Sequence, residues 1–430
     1  MFKLNLNSQR LVYWLFGFAI LISMSPYFIW HSLSRFYLLF VLFLALILVI
    51  NFRKFSIIKN NIFISLFVFS VLYLYLELLD LSNIYLNSTV VLTCLLLLIS
   101  YEGKIKIFDA FVKIYAFLIF CAIPIIFLIF IGADLPFGVL ETNHPGKTEA
   151  GLFYRNYIIM VVLSNQIFSS FMGEIIRFGS VFDEPGVVGT ISLLILSVRK
   201  FDLSNKENKI IFFGGLLSFS FAFYLGVIIY LFLMRPKVFL KLLFIFVALL
   251  ALTYDELSRH YFFNAYIFDK FTGIVGLDPN VNNRSDDCWG DHFKKFLYST
   301  DVILGNGPGA HTLSGCSLSH VSSLMYNFGL VGVFLIFVFY ISLVNFKKGI
   351  GLTKLYQYAI FLFIFLLMIY QRPSVMSPHM IIIFIAANHY ILGAESELIR
   401  SQIARSPVRT PLRMIRSMFA GKKGMPCRDG

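Results

Sequence analysis

Two acidic side chains and an arginine lie just before an apolar stretch in the middle of the chain. The segment is "IIRFGSVFDEPGVVGTISLLIL" (175–196), and it contains Arg177, Asp183 and Glu184. Charge at the mouth of an apolar helix is costly, which favours a functional role. The planar guanidinium of Arg177 suits phosphate oxygens, and one carboxylate could bind a polar substrate or act as a general base. The alternative is a plain helix start, because Pro185 follows and acidic groups suit a helix N-terminus.

A second cluster lies late in the chain. "NNRSDDCWGDHF" (282–293) supplies Arg284, and "LGNGPGAH" (304–311) supplies Gly305, Gly307 and Gly309. The glycines are not a P-loop, since no Gly-Lys-Ser/Thr follows them. They predict either a flexible turn or a nest of backbone amides beside an anion, with Gly307 and Gly309 as candidate substrate-binding residues.

A histidine precedes the next apolar stretch, "CSLSHVSSLMYNFGLVGVFLIF" (316–337). A neutral imidazole can accept a proton from a hydroxyl near neutral pH, so His320 is a candidate catalytic base. A structural role is the alternative for a lone interfacial histidine. His260, His292 and His311 are weaker candidates on the same predicted face. No spacing resembles an established zinc ligand set, so we expect no metal and no cofactor.

The chain has 5 cysteines. Cys94 and Cys121 fall in apolar stretches and are interpreted as packing residues, and Cys427 is in the tail. Cys288 and Cys316 share one loop, and in an oxidising compartment they could form a disulfide that ties the Arg284 segment to the His320 segment.

Composition sets the fold class. The 430 residues are 58% hydrophobic and only 14% charged, and the mean hydropathy is +0.81. Apolar runs of roughly 16 to 25 residues recur along the chain, which predicts an all-α polytopic integral membrane protein. The alternating segments of a β-barrel are not seen. The net charge of +13 gathers in short loops and the C-terminal tail, which fits the positive-inside rule and argues against nucleic-acid binding.

The runs divide the chain into six parts. We expect helices 1–5 in 1–132, a first outer loop in 133–185, helices 6–9 in 186–254, a large outer loop in 255–322, helices 10–12 in 323–394, and a basic cytoplasmic tail in 395–430. The first apolar run is interpreted as a retained helix, since no cleavage site stands out after it.

Segment 210–234 decides the topology. One long tilted helix there would place the later basic segments outside and the acidic loop inside, against the positive-inside rule. A short hairpin, which Gly214, Gly215, Ser218 and Ser220 could support, places the basic segments inside and the acidic loop outside. The hairpin gives about twelve crossings with both termini in the cytoplasm. Segment 156–172 is predicted to be an interfacial or partly inserted helix on the outer face.

The order of these motifs resembles a known family. The stretches that carry the resemblance are "RFGSVFDEPG" (177–186), the Ser-rich "LLSFSFAFYLGVI" (216–228), Arg284, "GNGPG" (305–309) and "SHVSSLMYNFGLVG" (319–332). Together they are similar to bacterial O-antigen polymerases and the related O-antigen ligases. The likeness covers most of the chain as architecture and about 50 residues as motif. Ligases often have His-Asn where this chain has His320-Val321, which favours the polymerases.

The resemblance implies a membrane glycosyltransferase of the C-type that works without metal and inverts the anomeric centre. It would act at the periplasmic face of the bacterial inner membrane on oligosaccharide repeat units linked to undecaprenyl pyrophosphate. Arg177 and Arg284 would stabilise the pyrophosphate leaving group, Asp183 would contact substrate, and His320 or Glu184 would be the base. A flippase and a chain-length regulator are the expected protein partners.

Two other functions stay open. An O-antigen ligase would transfer the finished chain to a different acceptor. A flippase or other transporter for lipid-linked glycans would use charged residues inside the bundle, of which few are evident. The two halves of the chain show no repeat, which also weakens the transporter interpretation.

Overall fold

The computed structural model describes residues 6–30, 34–50, 60–76, 84–142, 148, 151–169, 174–259, 287–307, 310–313, 321–344 and 350–393. Those up to residue 392 belong to one compact unit. Arg284, Gly309, Cys316 and His320, as well as the tail predicted at 395–430, lie outside the described residues.

The described chain is mostly helical. Its helices are α1 (Leu6–Ile22), α2 (Tyr27–Trp30), α3 (Ser34–Ile50), α4 (Asn60–Leu76), α5 (Ile84–Leu98), α6 (Tyr101–Phe130), α7 (Pro185–Val198), α8 (Lys206–Leu217), α9 (Phe221–Met234), α10 (Pro236–Arg259), α11 (Asp287–Leu297), α12 (Ala310–Leu313), α13 (Ser322–Leu343), α14 (Leu352–Gln371) and α15 (Pro378–Tyr390). Local signals set several starts. Ser100 caps α6 through the amide of Gly103, and Asn205 caps α8.

Short strands fill the loop between α6 and α7. β1 (Gly138–Glu141), β2 (Phe153–Asn156) and β3 (Val161–Leu163) form one antiparallel sheet, and β4 (Ile167–Ser169) pairs with β5 (Glu174–Ile176) in a second. The helix predicted over 156–172 is therefore wrong. The β-branched side chains of that segment favour the extended conformation, and the sheet satisfies its backbone groups.

The bundle buries an apolar core and also exposes apolar side chains on its outside. Phe36, Phe63, Phe67 and Phe334 are each more than 60% exposed although they lie on regular helices. Such an outer surface is stable in lipid and unstable in water. By length and composition three described helices can cross a membrane, α6, α13 and α14, and five further apolar helices have 10–17 residues. The fold is that of a helical membrane protein.

Segment 210–234 is divided between two helices, α8 and α9, and does not form one. Asn208 at the start of α8 contacts Arg199 at the end of α7, and a Cβ on Gly189 near the start of α7 would meet Ser218 just beyond α8. Helix α8 is therefore antiparallel to α7. Helix α9 then returns alongside α7, because a Cβ on Gly226 would meet the Leu193 side chain and the tilted rings of Tyr230 and Phe201 have their centroids 4.3 Å apart. A single long helix over 210–234 is excluded.

These contacts define two ends of the bundle. The loop-bearing end carries the strands and the start of α7, and the opposite end carries Arg199 and the end of α15. Helix α13 runs from the first to the second, since the Asn388 side chain donates to the carbonyl of Leu343. The loop carrying Gly305 packs on the first turns of α13, and it therefore lies at the loop-bearing end with Arg177 and Glu184.

The hairpin predicts which side of the membrane two exposed positions face. Ser204→Cys and Lys237→Cys are expected to be labelled together by an impermeant maleimide, only after the cells are permeabilised. Tyr298→Cys, at a position 94% exposed on the loop-bearing end, is expected to be labelled in intact cells. Labelling of Lys237→Cys but not Ser204→Cys in intact cells would contradict this arrangement.

Candidate active site

Glu184 and Arg372 form an ion pair at the start of α7. The Arg372 guanidinium donates through Nη2 to Oε2 of Glu184, and the two side chains are 32% and 40% exposed. Arg372 follows the end of α14, so the pair joins segments that are 188 residues apart. A half-buried arginine held at the mouth of a helix suits recognition of phosphate oxygens.

The helix-start interpretation of Asp183-Glu184-Pro185 is confirmed, and a substrate-binding or catalytic role for these carboxylates stays a prediction. Helix α7 does begin at Pro185, with Glu184 as its N-cap residue. The Glu184 side chain makes no capping hydrogen bond and pairs with Arg372 instead. A Cβ on Gly186 would lie 2.7 Å from Nη2 of Arg372, so the glycine lets the guanidinium rest against the first turn of α7. Asp183 is half-buried just before this turn.

Arg177 is held on the same side by the turn of the hairpin. Its Nη2 donates to the carbonyl oxygen of Phe219 at 3.3 Å, and the amide of Phe178 donates to the carbonyl of Leu217 at 3.1 Å. Phe219 has a left-handed backbone with φ of 46°, and Ser180 has φ of 50°. Such conformations are strained for these residue types and occur often at functional sites.

Residues 303–307 hydrogen-bond through their backbone to the first turns of α13, and we call this loop the glycine clasp. Gly305 N–H donates to Asp301, Asn306 N–H to Tyr326 and Gly307 N–H to Asn327, each to a carbonyl oxygen. Since these amides are already engaged, they do not form the open amide nest that the sequence suggested. The turn interpretation fits Gly305 to Gly307. A substrate contact by Gly307 or Gly309 stays a prediction.

The clasp requires glycine at two positions. Gly305 and Gly329 have φ of +80° and +59°. A Cβ on Gly305 would overlap the backbone of Asn327, and a Cβ on Gly329 would overlap the carbonyl of Ile303. The kink that Gly329 makes in α13 gives the loop room to pack against the helix backbone.

His311 is positioned by this clasp. Its amide donates to Oδ1 of Asn327 at 3.1 Å, and its ring Nδ1 lies 2.9 Å from Nδ2 of the same side chain. Asn327 is buried in the first turns of α13. Burial lowers the pKa of His311 below its ordinary value of 6.5, while the Asn327 hydrogen bond acts in the opposite direction. The imidazole is therefore neutral at neutral pH and can accept a proton.

Helix α11 is anchored on α13 by aromatic side chains. Trp289 donates through Nε1 to Oγ of Ser322 at 3.0 Å, and its ring lies 5.0 Å from that of Tyr326. Cys288 is disulfide-bonded. Cys94 and Cys121 are free, so its partner lies outside the described residues, and pairing with Cys316 stays a prediction.

The loop-bearing end thus gathers Arg177, Asp183, Glu184 and the glycine clasp, as the charge pattern predicted. Arg372 and Asn327 were missed. Arg372 lies in the short loop "QRPSVMS", predicted to be outside, where the positive-inside rule disfavours a cation. A cation in an outer loop is therefore a sequence signal that could have identified Arg372 as a candidate. Asn327 sits inside an apolar run and gave none.

A second polar cluster closes the opposite end. Arg199 donates through Nη2 to Oδ1 of Asp109 at 2.6 Å, and the Tyr390 hydroxyl donates to the same oxygen at 2.7 Å. Asn208 accepts from Arg199 and donates to the carbonyl of Asp202. These bonds join α6 and the ends of α7 and α15 to the start of α8, which gives the cluster a structural role.

Within the described ranges, no group of three or more His, Cys, Asp and Glu side chains could hold a metal ion. No family model matches the chain, and no curated protein or solved structure shows significant similarity to it.

Substitution of the clasp glycines should destabilise the protein. Gly305→Ala and Gly329→Ala each force a left-handed backbone on alanine and a clash with backbone atoms, which should cost about 2 kcal/mol or more. Thermal unfolding in detergent measures this. Gly351→Ala is the matched control, because its φ is −66° and a Cβ there meets nothing within 4 Å. Equal melting temperatures for all three variants would contradict the clasp.

The docking of His311 should be sensitive to acid. Because the folded state lowers the pKa of His311, its packing is fully stable above pH 6.5 and weakens as the pH falls below that value. Hydrogen–deuterium exchange of 301–313 should rise between pH about 7 and about 5.5, after correction for intrinsic rates. His311→Gln should remove this dependence, whereas substitution of the exposed His292 should leave it in place.

Proposed function

We propose that this protein polymerises lipid-linked oligosaccharide repeat units into a surface polysaccharide by glycosyl transfer. The observation that carries the proposal is the presence of two arginines at the loop-bearing end of a bundle with an apolar exterior, Arg177 held by the carbonyl of Phe219 and Arg372 by Glu184. Cations at the lipid interface suit a phosphate-containing substrate with a long hydrocarbon tail.

The donor is a glycan chain on undecaprenyl pyrophosphate. Its C1–oxygen bond breaks, and the pyrophosphate leaves with the electron pair. Arg177 and Arg372 stabilise the developing negative charge, and the N-terminus of α7 adds a favourable dipole. The predicted contribution of Arg284 adds a third cation. With fixed guanidiniums in place, the step proceeds without a metal.

The acceptor is a sugar hydroxyl of another lipid-linked repeat. Its oxygen attacks C1 from the face opposite the leaving group, which inverts the anomeric centre, and its proton passes to a base. Glu184 is one candidate. A pyrophosphate that binds Arg372 takes the ion-pair partner away from this carboxylate, which can then accept a proton more readily. His320 is the other candidate from the sequence. His311, neutral and fixed by Asn327, is a further histidine of the same loop.

The proposal places the chain in the bacterial inner membrane, with about twelve crossings, both termini in the cytoplasm and the site at the periplasmic face. The antiparallel course of α7, α8 and α9 supports this count, because two short crossings in 210–234 require two antiparallel helices there. A flippase supplies the substrate on that face, and a chain-length regulator is the second expected protein partner.

Alanine at either described arginine should stop polymer formation. Loss of one donor to a developing charge typically slows the chemical step about 100-fold or more, and we expect Arg177→Ala and Arg372→Ala to act this strongly. The readout is a gel of surface glycan with mass analysis of lipid-linked glycans. Single repeats on the final acceptor, with the long ladder lost, are expected.

Arg235→Ala is the control, since Arg235 is an exposed arginine beyond the end of α9. Membrane abundance of each variant is checked by immunoblot. Long chains stranded on the lipid carrier would indicate a ligase instead. Lipid-linked repeats that accumulate on the cytoplasmic face would indicate a flippase, and an unchanged ladder would refute the assigned role of these arginines.

A further inference from the structure

Four side chains of the first outer loop form a compact cluster that the proposed reaction does not use. Arg155 on β2 donates through Nη1 to Oε2 of Glu174 on β5 at 2.8 Å. Its guanidinium lies 5.0 Å from the centroid of the Phe137 ring. Tyr157 hydrogen-bonds to Arg155, and its ring is 5.8 Å from that of Phe137. We name Phe137, Arg155, Tyr157 and Glu174 the loop cluster.

The loop cluster is accessible from the outside. The first sheet turns Tyr154, Val161 and Leu163 inward, where they form a small buried core. Strand alternation puts Arg155 on the other face, beside Val162 of the main core, so access to the cluster comes from the edge that Phe137 leaves open. Phe137 is 43% exposed, and the Arg155 and Glu174 side chains are 26% and 35% exposed. Aromatic rings and a charged pair are thus presented together at a surface.

This combination suits a sugar. The C–H face of a pyranose ring packs on an aromatic ring, and its hydroxyls both donate and accept hydrogen bonds. Glu174 accepts, Arg155 donates, and the Tyr157 hydroxyl can do either. Burial raises the pKa of Tyr157, with Arg155 acting in the opposite direction, so its phenol keeps the proton it would donate.

The loop cluster lies close enough to the candidate active site for one glycan chain to contact both. Glu174 and Arg177 are three residues apart, and 174–176 is a strand. An extended chain rises about 3.3 Å per residue, which separates their backbones by about 10 Å. That span corresponds to a short stretch of glycan next to the pyrophosphate.

We propose that the loop cluster is a glycan subsite that holds sugar units of the lipid-linked chain while Arg177 and Arg372 hold its pyrophosphate. This inference rests on the proposed function. A chain that is held between transfers is elongated further before it dissociates, so the subsite sets the length of the product.

The test is the length distribution of surface glycan in the native host, with variants in the chromosomal copy. Phe137→Ala and Arg155→Ala should each weaken the hold on the glycan about tenfold, since each removes a stacking or charge-assisted contact. We expect the modal chain length to fall by about half or more, with polymerisation still present. Phe120→Ala, which removes a 57% exposed ring from the outer wall of α6, is the matched control.

A charge swap separates binding from a structural role. The double variant Arg155→Glu with Glu174→Arg restores an ion pair but takes the guanidinium away from residue 155 and the Phe137 ring. Chains that stay short in the double variant support a glycan contact. Recovery of normal length would show that the pair only joins two strands, and would overturn the subsite.

Arg372→Ala is run beside these variants. Normal chain length in Phe137→Ala and Arg155→Ala, with the ladder lost in Arg372→Ala, would overturn the subsite alone. A ladder that survives Arg372→Ala would refute the proposed reaction and the subsite that rests on it. Immunoblots confirm equal amounts of each variant in the membrane.

Discussion

Helix α7 is the element on which the rest of the structure depends. Every residue from Val188 to Val198 is buried, although the helix has only 14 residues. It is buried by protein on all sides and carries an ion pair at each end, Glu184 with Arg372 and Arg199 with Asp109. At 1.5 Å per residue it spans about 21 Å, which is shorter than a hydrocarbon core of about 30 Å. Its charged ends therefore require partners from other helices.

The two ends meet this requirement differently. At the opposite end, Arg199 is only 11% exposed and is bonded to protein groups. At the loop-bearing end, Glu184 and Arg372 remain about one-third exposed or more. The loop after Arg372 is fixed to a neighbouring helix, since Tyr340 of α13 donates to the carbonyl of Val375. Arg372 is thus both accessible and firmly positioned, as a binding group must be.

The sequence predicted the class of fold because lipid imposes a simple pattern, long apolar runs with charges in the loops. It also predicted that Arg177, Asp183 and Glu184 lie together at a helix mouth, since they are neighbours in the chain. It failed where partners are distant. Arg372 pairs with Glu184 across 188 residues. It also failed for the helix predicted over 156–172, whose described part, 156–169, contains short strands, because periodicity alone does not separate a helix from strands in a short apolar run.

The Glu184–Arg372 pair has a consequence for the order of the proposed reaction. An arginine near hydrocarbon is costly without a counter-ion, and Glu184 supplies one in the structure. A pyrophosphate offers more charge and a better match to the guanidinium, so it draws Arg372 toward itself. Glu184 would then lose its ion pair with Arg372 and become a better proton acceptor when the donor is bound. In the proposed reaction with Glu184 as the base, this carboxylate would thus be released only when a leaving group is bound, which would protect the acceptor hydroxyl from premature activation.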